Sequence, residues 1–119
     1  MQQYVDLFKA LADETRLRIL DILLERDCCV CEVTQALDIS QTRASRNLNA
    51  LYDAGFLNVK RDGLWVVYSI DKDGLDADYW ELIEIVKRGL EGNKIASMDK
   101  ERLKNARRTG AVCAASSVQ

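Results

Sequence analysis

Histidine and proline are both missing from this 119-residue chain, and no apolar run approaches the ~18 residues that a membrane span requires. Each absence excludes something. Without histidine, mixed nitrogen–sulfur zinc sites are disfavoured. Without proline, nothing interrupts long helices, which fits a mainly helical chain. With no span, and no basic-apolar-small signal at its start, the chain is expected to be one soluble cytoplasmic domain with no membrane partner. Cytosolic thiols are normally reduced. Adjacent cysteines such as Cys28 and Cys29 are also poor disulfide partners, because neighbouring Cα atoms lie only ~3.8 Å apart. A disulfide framework is therefore not expected from the four cysteines present.

Net charge is −2, which by itself does not suggest a nucleic-acid partner. The basic residues are clustered, however. From position 41 to 61 the chain carries Arg43, Arg46, Lys60 and Arg61 against a single acid, Asp53. A positive face on an acidic body is compatible with both facts.

Periodicity places the elements. "QYVDLFKALA" has Val5, Phe8 and Leu11 at helical spacing, and Asp13 is a natural N-cap for "ETRLRILDILLE". A shorter helix runs through "CVCEVTQAL", with Val30, Val33 and Leu37 facing the core. "DIS" breaks it, and Ser40 caps "QTRASRNLNALYDAG", whose buried line is Ala44, Leu48 and Leu51 and whose stop is Gly55. "FLNVKRDGLWVVYSI" then changes to β-type composition around Asp62-Gly63. It predicts a hairpin with strands near 56–61 and 64–70. Another helix follows in "DADYWELIEIVKRGLEG", with Tyr79, Leu82, Ile83, Val86 and Leu90 on one face. Residues 1–92 are expected to form the domain, and 93–119 a partly mobile C-terminal extension with at most a short helix.

Two helices joined by a three-residue turn and followed by a hairpin describe a winged helix-turn-helix. In that arrangement Gln41, Thr42, Arg43, Ser45, Arg46 and Asn49 lie off the buried line of the recognition helix. Their chemistry suits base edges and phosphates. Lys60 and Arg61 near the hairpin tip would reach the DNA backbone or minor groove.

The segments "LFKALADETRLRIL", "CVCEV", "SQTRASRNLNALYDAGFL" and "RDGLWVVYSI" resemble, in order and spacing, the ArsR/SmtB family of metal-responsive repressors. The resemblance runs from about Leu7 to Ile70 and more loosely to Leu90. It implies a homodimeric winged helix-turn-helix that represses transcription from operator DNA. It also implies a dimer interface on the first helix (Val5, Phe8) and on the helix after the wing (Tyr79, Leu82, Ile83, Val86, Leu90). Two recognition helices would then meet half-sites ~34 Å apart.

Cys28, Cys29 and Cys31 fall within four positions, and thiolates select thiophilic ions. Three thiolates without histidine suit a three-coordinate sulfur site for trivalent arsenic or antimony, a regulatory ligand and not a permanent cofactor. "CVC" at 29–31 also resembles the arsenite-sensing branch of the family. That branch commonly has a further cysteine where this chain has Thr34, so the third sulfur is either Cys28 or Cys113. In a regular helix Cys28 and Cys31 share a face, while Cys29 and Cys31 are about 200° apart. Convergence therefore requires the first turn to open, and that opening would disturb the recognition helix. Cadmium, lead, zinc or thiol oxidation acting through the same cysteines is the competing reading, with Cys113 or Glu32 as a fourth ligand for cadmium. Cys28-x-x-Cys31 also matches a disulfide-exchange signature, but no parallel-sheet pattern accompanies it, and the chain is not read as an enzyme.

Overall fold

The computed structural model describes residues 1–109. Helix α1 (Gln2–Leu11) turns into α2 (Glu14–Glu25), where the Asp13 carboxylate accepts the Arg16 backbone N–H at 3.1 Å. This satisfies one of the donors that a helix start leaves unpaired. Next come a two-residue strand β1 (Cys28–Cys29), α3 (Val30–Leu37) and α4 (Gln41–Asp53). The turn between the two helices uses Asp38 in the left-handed region (φ 55), which aspartate tolerates better than most residues. Ser40 then caps α4 by accepting from Arg43 N at 3.1 Å.

The hairpin comprises β2 (Leu57–Asp62) and β3 (Trp65–Ile70), antiparallel and in register from Leu57 opposite Ile70 to Asp62 opposite Trp65. Its two-residue turn is Gly63–Leu64 and not Asp62-Gly63. Gly63 has φ +62, as the first turn position of a primed hairpin requires. Strand β1 adds to the other side of β3, giving the order β1-β3-β2. Helices α5 (Ala77–Leu90) and α6 (Lys94–Asn105) complete the chain order.

The core is built where α2, α3, α4 and the sheet meet. Ile19, Leu20, Ile22, Val33, Leu37, Leu48, Leu51, Phe56 and Tyr68 are all fully buried there. Gly55 (φ +96) lets the chain leave α4 sharply against Tyr79, whose hydroxyl oxygen would lie 3.2 Å from a Cβ there. The Tyr79 hydroxyl donates to Ala54 O at 3.0 Å, and its ring meets Phe56 edge-on at 4.9 Å.

Residues 93–109 differ from the expected extension. Asn93 caps α6, and Ala96, Asp99 and Leu103 are buried against α2 and α3. Asp99 accepts two bonds from Arg18 of α2 (2.9 and 2.8 Å) and one from Arg102 (3.0 Å). Arg102 and Arg18 in turn donate to Ala36 O and Leu37 O, carbonyls that the end of α3 leaves open. The buried face of α6 is small and partly charged, so its apolar period is weak even though the helix belongs to the same core.

Candidate sensing site and nucleic-acid interface

The three clustered cysteines are not on one helix. Cys28 and Cys29 are extended and pair with Tyr68 and Val67 of β3. Cys29 is the N-cap of α3, with φ −86 and ψ 172. Successive side chains of a strand point to opposite faces, so Cys28 and Cys29 diverge. The Cys28 thiol donates to Arg26 O at 3.6 Å. Burial, and then the negative charge of Glu32, push that thiol up to about 12. The Cys28 thiol is thus held protonated in the ion-free fold, and an ion binding it would have to displace that proton.

The expected separation of Cys29 and Cys31 is corrected as well. Because Cys29 is extended and not helical, its sulfur swings back over the first turn to 2.7 Å from the Cys31 sulfur. No opening of the helix is needed to bring these two together. Among the described residues, no group of three or more cysteines, aspartates or glutamates is placed to hold a metal ion. Of the predicted set Cys28, Cys29 and Cys31, the structure brings together the sulfurs of Cys29 and Cys31. Cys113 lies outside the described residues.

Glu32 organises the pair's surroundings. Its Oε1 accepts the Cys29 backbone N–H at 3.0 Å, and its Oε2 pairs with Arg26 at 2.6 Å. Burial alone would raise this carboxyl, but the Cys29 N–H and the Arg26 guanidinium outweigh it and hold the carboxyl below its ordinary range. Arg108 approaches the same Oε1 at 3.6 Å. Glu32 thus ties the cap of α3 to two arginines. Over Cys31 runs the end of the described chain, with Thr109 N donating to its sulfur at 3.4 Å.

Strand β1 connects the cysteine segment to the wing through Cys29 and to α4 through Cys28. Cys29 lies opposite Val67, which lies opposite Lys60, so one row crosses the sheet from the sulfur pair to a wing cation. Cys28 lies opposite Tyr68, whose hydroxyl donates to Asn49 of α4 at 3.0 Å.

On α4, Thr42, Arg43 and Arg46 are exposed, and Gln41, Ser45 and Asn49 are half-buried. Arg43 spends one N–H on Thr15 of α2 at 2.8 Å. Asn49 accepts from Tyr68, and the Gln41 amide nitrogen is buried without a hydrogen-bond partner. Lys60 and Arg61 stand out in solvent. Sequence reasoning missed the bracket that aims the helix. Arg16 Nε donates to Asn47 Oδ1 at 3.0 Å, and Asn47 Nδ2 donates to Arg43 O at 2.9 Å.

The predicted interface residues divide. Val5 and Phe8 are exposed, Phe8 by 57%, because α1 buries Leu7 and Ala10 instead. Ile83 is 0% exposed within its own domain, and the half-buried Tyr79 is held against Ala54 and Phe56 as described above. Leu82, Val86 and Leu90 are half-buried. Tyr4 and Ile85 are exposed apolar residues that the spacing did not single out. Tyr4 donates to Asp78 at 3.1 Å and so joins α1 to the start of α5.

Helix, tight turn, capped polar helix and three-stranded wing define a winged helix-turn-helix protein. The family model described as "bacterial regulatory protein, arsR family" matches residues 13–59. The arsenic resistance transcriptional regulator ArsR1 of Pseudomonas putida is 50% identical over 64 residues, which are 53% of this chain and 50% of that one. The chain thus spans about half the length of that relative. The arsenical resistance operon repressor of Bacillus subtilis is 34% identical over 74 residues, 61% of this chain and 70% of the repressor. Among solved structures, the homodimeric winged helix-turn-helix DNA-binding domain of a Mycobacterium bovis protein is similar. It has a TM-score of 0.64 at 30% identity, covering 78% of this chain and 82% of that one. The chain belongs to the ArsR family of bacterial regulatory proteins.

Proposed function

We propose that this protein is a transcriptional repressor that binds operator DNA as a homodimer and releases it when trivalent arsenic, or antimony, binds cysteine thiolates. The observation that carries this reading is the contact of the Cys29 and Cys31 sulfurs at the cap of α3. Two soft donors held together suit a thiophilic ion. The similarity to arsenic resistance regulators supports the choice of ion. Cys113 supplies the third sulfur. It lies four residues beyond Thr109, a reach of at most ~14 Å, and Thr109 already touches Cys31.

Release follows from the wiring. An ion between the two sulfurs pulls on the N-cap of α3 and on β1, which is bonded to the wing strand β3. Thr42 and Arg46 of α4, with Lys60 and Arg61 of the wing, carry the DNA contacts. Arg43, Ser45, Asn49 and Gln41 set the pose of α4 and its near contacts. The homodimer forms through the exposed apolar side of α1, Val5 and Phe8 with Tyr4, together with Ile85, Val86 and Leu90 of α5. Cadmium, lead, zinc or an oxidant acting on the same pair remain the alternatives that titration separates.

The test uses operator fragments selected by the protein from a random DNA pool, read by fluorescence anisotropy. Arsenite is expected to weaken binding by about tenfold or more, as a coupling of ~1–3 kcal/mol allows. Cys29→Ser, Cys31→Ser and Cys113→Ser each abolish that response, and Cys28→Ala keeps it. A Cys29→Ser/Cys31→Ser double variant that still responds like the parent would sink the reading.

A further inference from the structure

Near the end of the described chain, residues 106–109 form a strap across the molecule. Arg26 holds its start through Leu103 O (3.0 Å) and Ala106 O (3.2 Å). Gln35 of α3 clasps Arg107 in both directions, donating to its carbonyl at 2.6 Å and accepting its N–H at 2.9 Å. Thr109 N bonds the Cys31 sulfur. Between these two fixed points, Arg108 turns the other way. Its Nη1 pairs with Asp62 Oδ2 at the hairpin tip at 2.7 Å, and its guanidinium carbon lies 5.7 Å from the centre of the Trp65 ring.

We propose that Arg108 is a positioning residue of the wing, masking Asp62 so that the hairpin tip meets DNA as a cation, and that the strap couples this masking to Cys31. The proposal rests on the repressor reading above. Asp62 follows Lys60 and Arg61 directly, and it is the one carboxylate on the tip that DNA would meet. A phosphate backbone repels it, and part of what Lys60 and Arg61 contribute is lost to its charge. Pairing with Arg108 removes that opposition, and the same pairing holds the Asp62 carboxyl below its ordinary range.

Arg108 also has a second carboxylate within reach, Glu32 at 3.6 Å from its Nε, beside the sulfur pair. Asp62 and Glu32 thus bracket one guanidinium. A ligand that engages Cys31 displaces the Thr109 N–H from its sulfur, and residue 109 cannot move without moving residue 108. As Arg108 shifts off Asp62, the bare carboxylate returns to the DNA-facing tip. The sensing site acts on the wing through charge as well as through the β1–β3 pairing.

The first arm of the test needs no inducer. Operator affinity is read by anisotropy at fixed salt, with thermal unfolding as a folding control. Arg108→Gln is expected to weaken binding by about three- to tenfold, on the scale of one or two phosphate contacts. Arg108→Lys, which can still pair with Asp62, should retain most of the affinity. Asp62→Asn placed in the Arg108→Gln background should restore binding to within about twofold of the parent. A double variant that stays weak would show Arg108 touching phosphate itself and overturn the masking role. So would an Arg108→Gln variant that binds like the parent.

The second arm adds arsenite to the parent and to Asp62→Asn, with ligand capture followed separately by thiolate–arsenic absorbance. Capture should be equal, while the loss of operator affinity should be at least about twofold smaller in Asp62→Asn. Equal losses would show that the strap carries no signal. If arsenite fails to release the parent, the sensing reading fails, and rescue by Asp62→Asn in the first arm still decides the masking role.

Discussion

The cap of α3 and the outward face of α4 are neighbours in the chain but opposite in physical character. At the α3 cap Cys29, Cys31 and Glu32 are buried and every named group is tied: Cys29 N to Glu32, Glu32 to Arg26, the two sulfurs to each other, Cys31 to Thr109. On α4 and the wing, Thr42, Arg46, Lys60 and Arg61 stand in solvent. Changes at the buried cap should act on folding first and on function through it. Changes on the exposed face should leave folding alone and act only on binding. The contrast also separates the three clustered cysteines, since Cys28 shares the burial of the cap without facing the sulfur pair.

The sharpest way to break this contrast is Glu32→Ala. It strands the Cys29 N–H and uncouples Arg26, at an expected cost of about 3 kcal/mol, from the range for breaking buried charged networks. Thermal unfolding should show the midpoint falling by about 10 °C. Next comes acid. The folded-state carboxyl of Glu32 is depressed, so its contribution is present above the unfolded pKa of about 4.3 and is lost as pH falls through the lower folded value. Denaturation curves from pH 7 downward should flatten over that window in Glu32→Gln.

Smaller in free energy is Arg46→Ala. It should weaken operator binding by about tenfold and lower the salt slope if it meets phosphate, while shifting stability by less than about 0.5 kcal/mol. Loss of stability comparable to loss of binding would place Arg46 in the fold and erase the contrast. Smallest is Cys28→Ala, expected to cost about 1 kcal/mol of stability and to leave the arsenite dose–response unchanged. Buried, with its thiol pushed up to about 12, Cys28 should also alkylate far more slowly at pH 8 in the folded protein than in urea, as read by mass spectrometry.

Much of the reading half was legible in the chain. Asp13 and Ser40 cap helices where the spacing placed them, and Ala44, Leu48 and Leu51 are the buried line of α4. The hairpin also sits where β-branched and aromatic residues cluster, one residue away from the expected turn. These features depend on local contacts within four residues or across one turn, which is what periodicity and capping report. The cysteine half was legible only as composition. Three cysteines in four positions pointed to sulfur chemistry, but helical angles assigned the wrong pair. Strand β1 exists only because β3, some forty residues later, offers it a free edge.

The faces of α1 and α5 show the same limit. Both helices carry apolar residues on more than one side. Spacing names those sides without saying which one α2 will cover, so Leu7 and Ile83 went inward while Phe8 stayed out. Helix α6 was under-read because Asp99, which anchors it through Arg18 and Arg102, looks like a surface residue until its partners are seen.

By itself, then, the sequence determined the winged helix-turn-helix, the cation cluster on its reading face and the softness of its sulfur donors, all properties of residue type and short-range spacing. Only the tertiary structure decided that Cys29 meets Cys31 while Cys28 turns away, and that residues 106–109 return to reach Cys31. The cause is long-range: the β1–β3 pairing holds Cys29 extended, and the docking of α6 carries residues 106–109 back over the cap.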